Sequence, residues 1–123
     1  MNKTFSLLLA GLLAVALDAS AQAPAMKATD GTLTDAKGMT LYSFDKDAAG
    51  KSACNGPCAA NWPPLAAGAD AKAAGDWSVI TRDDGSKQWA YKGKPVYTWV
   101  KDTKPGDKTG EGMASGAWHA VKD

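Results

Sequence analysis

Hydrophobic and polar positions alternate through Val96-Tyr97-Thr98-Trp99-Val100. In an extended strand this puts Tyr97 and Trp99 on one face and Val96, Thr98 and Val100 on the other. Leu41-Tyr42-Ser43-Phe44 repeats the arrangement, with Tyr42 and Phe44 together and Leu41 opposite. Apolar groups on both faces predict central strands, an aliphatic core on one side and an aromatic layer on the other. The aromatic layer reads either as a second piece of core or as a partly exposed platform for a ligand. Periodicity does not choose between them.

The two strands belong to longer copies of one pattern. Fifty-five positions separate Tyr42 from Tyr97, and at that offset Gly38, Tyr42, Lys46 and Asp47 meet Gly93, Tyr97, Lys101 and Asp102. Asp30-Gly31 precedes the first copy as Asp84-Gly85 precedes the second, and Gly56 and Trp62 answer to Gly112 and Trp118. An internal repeat sets the architecture before any local reading does. Repeats are expected over about 30–65 and 77–121, as two meander-like halves around one core, all-β in class.

Turn chemistry fills in the meanders. Asp35-Ala36-Lys37-Gly38 separates Thr32–Thr34 from Met39–Phe44, and Asp83-Asp84-Gly85-Ser86 separates Trp77–Arg82 from Gln88–Tyr91. Lys92-Gly93 turns into Val96–Val100, and Trp118–Val121 closes the chain as a last strand. Trp62-Pro63-Pro64-Leu65 lacks two backbone donors and belongs at an edge or outside a sheet. Asp45–Asn61 and Asp102–Ser115 are expected as long loops carrying Cys and Gly, and Ala66–Asp76 as the linker. No stretch after the leader sustains a helical period.

The leader is separate. Lys3, an apolar run from Phe5 to Leu17 and Ala19-Ser20-Ala21 read as a signal peptide over residues 1–21, cleaved after Ala21. Residues 22–123 then form a single exported domain, periplasmic or secreted, whose membrane contact ends with cleavage. Formal net charge is +1, and Arg82 is the sole Arg, so phosphate backbones find no basic surplus and nucleic acid is a poor partner.

Tyr-x-aromatic-x-x-Asp occurs twice, as Tyr42, Phe44, Asp47 and as Tyr97, Trp99, Asp102. Between the copies lie Cys54-x-Gly56-x-Cys58-Ala59 and Trp62-Pro63-Pro64-Leu65, and Gly110, Gly112, Trp118 and His119 follow the second. This set resembles a bacterial secreted-repeat family, also described as predicted lipoproteins. The resemblance implies a small exported two-repeat domain and no particular reaction. No Cys follows the apolar run, so the usual lipid attachment point is missing.

The chemistry-bearing residues are few. Cys54 and Cys58, in an exported chain and separated by the turn formers Gly56 and Pro57, point to a structural disulfide. A Cys-x-x-x-Cys pair with a distant His is also the ligand set of exported copper-handling proteins, which makes Cys54, Cys58 and His119 the alternative, a soft-metal or redox site with Met26, Met39 and Met113 as spare donors. Against sulfur chemistry, Gly110 and Ala114 align with the two cysteines. Asp45-Lys46-Asp47 starts like a calcium loop, but Gly56 stands where the twelfth-position Glu belongs. Asp47 and Asp102, each just after a strand, fit better as acceptors for loop N–H groups. No spacing supports a hydrolytic triad around His119. The sequence therefore reads as a non-catalytic binding or interaction module with no cofactor and an unknown periplasmic ligand or protein partner. Trp62, Trp118 and His119 are the candidate binding surface.

Overall fold

The computed structural model describes residues 25–27 and 30–123, with only the backbone of 26–27. The signal peptide and its cleavage point lie outside the described residues.

The secondary structure is mostly short strands. They are β1 Met26–Lys27, β2 Leu33–Thr34, β3 Tyr42–Phe44, β4 Trp77–Thr81, β5 Lys87–Tyr91, β6 Lys94–Pro95 and β7 Trp118–Ala120. Among the described residues two short helical segments join them, α1 at Pro57–Asn61 and α2 at Met113–Gly116. α1 starts where Pro57 supplies a preset φ at the first turn. α2 is helical only in part, since Ala114 and Ser115 have φ of 55° and 60°.

The hairpin β4–β5 is the longest pairing, from Trp77↔Tyr91 to Thr81↔Lys87, and β6 adds to β5 through Ala90↔Pro95 and Tyr91↔Lys94. The Asp83–Ser86 turn closes this hairpin with Asp84 accepting from both the N–H and the hydroxyl of Ser86. The other turn expected from sequence also forms: Gly38 adopts φ 85°, and Asp35 accepts from the N–H groups of Lys37 and Met39. The third strand is not Val96–Val100: β6 ends at Pro95, and within 96–100 only Tyr97 forms bridges. Val100 sits in a turn and is 47 % exposed, because the chain must leave the sheet there to bring Asp102 back inside.

The halves are not self-contained meanders. β3 of the first repeat pairs with β7 of the second, through Tyr42↔Ala120, Ser43↔His119 and Phe44↔Trp118. On its other side Tyr42 faces Tyr97, with N–H donating to carbonyl in both directions at 2.8 and 2.9 Å. Pro64 of the first repeat bridges to Tyr97 in turn. The order across the centre is therefore closing element two, motif strand one, motif strand two, closing element one. Each repeat's closing segment serves the other repeat's strand, about a pseudo-twofold axis between Tyr42 and Tyr97. The diproline segment is the end member of this order, at an edge as one of the two expectations had it and not outside a sheet. It works there by accepting: the Pro63 carbonyl takes the Thr98 N–H, while Leu65 both donates to Val96 and accepts from Trp89.

Two cores result. Leu33, Leu41, Trp89, Tyr91 and Val96 form one side, which is mixed and not aliphatic as expected, because the β4–β5 hairpin adds Trp77, Trp89 and Tyr91 to it. Tyr42, Cys54, Trp62, Tyr97, Trp99, Ala117 and Trp118 form the aromatic side, with Phe44 packed on its edge. Strand alternation assigned Leu41 and Val96 to one and the motif aromatics to the other, and the structure places them so.

Candidate functional site

At the centre of the aromatic core lies a column of four rings. Trp62 and Trp118 stack face to face, 3.8 Å between centroids and 2° between planes. Phe44 stacks on the outer side of Trp118 at 4.3 Å, and Trp99 on the outer side of Trp62 at 4.0 Å. Each outer ring comes from the opposite repeat to the Trp it covers. Tyr42 meets Trp62 edge-on and Tyr97 meets Trp118 edge-on, at 5.3 and 5.1 Å. Offset and edge contacts of this kind add to the energy of burial itself. Trp62 and Trp118 are buried at 6 % and 2 % exposure, which corrects the expectation that they form a binding surface. Stacked on each other, they have no free face to offer a ligand.

The motif carboxylates lock this column. Tyr42 donates its hydroxyl to Asp102 Oδ2 at 2.7 Å, and Tyr97 donates to Asp47 Oδ2 at 2.6 Å. Both bonds cross between repeats. The second oxygen of each Asp holds its own loop: Asp47 Oδ1 accepts from Ala53 N–H, and Asp102 Oδ1 from the N–H and hydroxyl of Thr109. Burial is the main cause that pushes both phenols well above their ordinary range, with the adjacent carboxylate adding to it, so they remain neutral donors. Burial also raises the Asp47 carboxyl, against the lowering effect of the Tyr97 and Ala53 bonds.

One half of this clasp has an extension that sequence reasoning missed. A phenol has one proton, and Tyr97 gives its own to Asp47. The Ser52 hydroxyl, 2.6 Å away, must therefore donate to Tyr97. Arg82 then donates to Ser52 Oγ at 3.0 Å, to Gln88 Oε1 at 2.8 Å and to the Cys54 carbonyl at 2.6 Å. Gln88 completes the chain by donating to the Val96 carbonyl. Arg82 and Gln88 are buried at 5 % and 0 %. Their only sequence signal was a lone Arg at the end of a strand. The other clasp has no such network; there Gly110 N–H donates to the Tyr42 hydroxyl at 3.2 Å.

Cys54 and Cys58 are joined, with sulfurs 2.03 Å apart, at the head of α1. The alternative metal set is not assembled, because no thiolate remains and His119 is engaged elsewhere. Its Nε2 lies 3.0 Å from Asp45 Oδ2 and its Nδ1 3.1 Å from Glu111 Oε2. Those two bonds, Asp45 first, raise the imidazole above its usual range. Among the described residues no group of three His, Cys, Asp or Glu side chains is placed to hold a metal ion. Asp45 and Asp47 do not converge as in a calcium loop, since one faces His119 and the other Tyr97.

An accessible groove lies over β3. One recess of about 320 Å³ is lined by Phe44, Asp47, Ala48, Ala49 and Pro95, and a neighbouring one of about 250 Å³ by Tyr91, His119, Val121 and Lys122. Ser43, Asp45, Lys92 and Lys94 line both, so the two recesses are continuous. Of the expected surface residues only His119 borders this groove.

A family model described as a secreted repeat of unknown function matches the chain twice, over residues 25–66 and 78–122. No curated protein and no solved structure matches it.

Proposed function

The chain belongs to this family of secreted repeats, and from that premise we propose that it acts outside the cytoplasm as a non-catalytic binding or interaction module. The observation that carries the reading is the commitment of the motif. The hydroxyls of Tyr42 and Tyr97 and the carboxylates of Asp47 and Asp102 are engaged with one another and with loop N–H groups inside the fold. Catalysis by such groups needs a nucleophile and a base converging on open space. An open space of this molecule is the groove over β3, whose walls carry lysines, small residues and Phe44 together with Asp45, Asp47 and His119; His119 is paired with Asp45, and Asp47 holds the Tyr97 hydroxyl. A rigid two-repeat body with a groove of this size suits recognition of a ligand or partner. The leader read from the sequence supports a periplasmic or extracellular role, and protein recovered from the exported fraction is expected to begin at Gln22.

The experiment is a turnover screen on exported protein with chromogenic ester, glycoside, peptide and phosphate-ester substrates. No turnover above buffer is expected. Turnover that disappears in an Asp47→Asn or His119→Gln variant, while the thermal unfolding profile is kept, would overturn the reading.

A further inference from the structure

The groove is asymmetric in charge, and its ligand class follows from that asymmetry. At one end Lys92, Lys94 and Lys122 line the recess with His119, against a single carboxylate, Asp45. Asp45 already faces His119 at 3.0 Å. Elsewhere on the surface Lys51, Lys104 and Lys108 are matched by Asp83, Asp107 and Asp30, while other lysines such as Lys37 and Lys101 form no ion pair among the described residues. What distinguishes the groove lysines is that three of them line one recess, with Lys92 Nζ 5.3 Å from the Tyr91 ring centroid. Among the described residues Lys92, Lys94 and Lys122 form no ion pair. At the other end Phe44, Ala48, Ala49 and Pro95 form the apolar wall, and there Asp45 and Asp47 balance Lys92 and Lys94, so the positive excess lies at the Lys122 end.

Lys92 adds an independent observation. It occupies the two-residue turn between Tyr91 and Lys94, where both Lys92 and Gly93 have positive φ, 50° and 84°. A turn with positive φ at both positions favours Asn, Asp or Gly at the first of them, and a lysine there carries backbone strain. A strained residue at the mouth of a recess points to a role for its side chain rather than for the turn.

We propose that the groove over β3 binds a small anionic ligand, a carboxylate or phosphate ester whose charged head lies among Lys92, Lys94 and Lys122 and whose compact apolar body lies against Phe44 and Pro95. The proposal rests on the binding-module reading and specifies its ligand. The recesses, about 250 and 320 Å³, suit a ring-sized molecule rather than a polymer segment. Lysines suit the head because each is a flexible point charge that adapts to either oxyanion.

The test is a titration of the full exported chain with benzoate, phenyl phosphate and the neutral analogue benzamide, followed by amide NMR shifts. Saturable shifts at Ser43, Lys94 and His119 are expected with the two anions and not with benzamide. A Lys92→Asn/Lys94→Gln variant should weaken binding at least about tenfold, the loss of two close charge contacts. Lys92→Asn alone should weaken binding while raising the melting temperature, which a purely structural lysine would not do. Lys72→Gln, in the linker, should leave affinity unchanged. Equal weakening by Lys72→Gln would mean diffuse charge attraction and overturns the site. Benzamide binding as strongly as benzoate overturns the anion class while leaving a binding module. Binding to phosphatidylglycerol vesicles without any response to the free anions overturns the small ligand in favour of a lipid surface. Silence with every probe also overturns the anion proposal, whereas the wider reading falls only to turnover.

Discussion

At the level of single residues, the repeated motif acts as a reciprocal clasp. Tyr42 reaches Asp102 and Tyr97 reaches Asp47, so each repeat supplies a donor to the other's carboxylate. The spacing that revealed the repeat also identified the residues, and their loop-holding role for Asp was legible from their position after a strand. Partner exchange was not legible, because equivalence under an offset says which residues correspond and nothing about which ones touch. Gly110 shows the same limit. In sequence it is the counterpart of Cys54. In the structure a Cβ there would lie 2.7 Å from the Trp62 ring and 3.1 Å from Trp99. Gly110→Ala must therefore displace the ring column, at an expected cost of about 1–3 kcal/mol as overpacking. Equilibrium denaturation checks this; an unchanged midpoint would show that the column has slack.

Among the elements, the cysteine loop and its partner differ most. The first repeat shapes its loop with the Cys54–Cys58 disulfide and α1, and the second with left-handed Ala114 and Ser115. Helix α1 spans five residues, too short to leave a period, and Gly56 and Pro57 were read only as turn formers in a loop. The disulfide was legible because export, turn residues and spacing agreed. It is not the sole restraint on this loop, since Arg82 donates to the Cys54 carbonyl and Asp47 accepts from Ala53. A Cys54→Ala, Cys58→Ala double variant is therefore expected to fold, with stability lowered by roughly 1–3 kcal/mol, the value for closing a small loop. Denaturant titration measures it, and loss of folding altogether would make the disulfide the organiser of the loop instead of a staple on it. The network behind it was not legible. Arg82, Ser52 and Gln88 are far apart in sequence, and burial of polar groups leaves no periodic trace.

Over the whole molecule, the two repeats form one interlocked unit rather than two neighbours. Strand β3 is sandwiched between two elements of the second repeat, β7 and Tyr97, and the diproline segment of the first repeat pairs with the second. The ring column draws alternately from both, in the order Phe44, Trp118, Trp62, Trp99. The sequence predicted a mostly β chain with Leu41 and Val96 opposite the motif aromatics, left open whether the aromatic layer was core, and packed each meander on itself because local turns favour near neighbours. Interlocking makes opening of one repeat expose the aromatic core of the other. Native-state hydrogen exchange tests this claim most directly. The amides of Tyr42 and Tyr97, which bond to each other's carbonyls, are expected to exchange with the same free energy, that of global unfolding, together with the β5 amides Trp89 and Tyr91. Exchange of the Tyr42 amide through a lower-energy opening that leaves Trp89 and Tyr91 protected would contradict the interlocked fold.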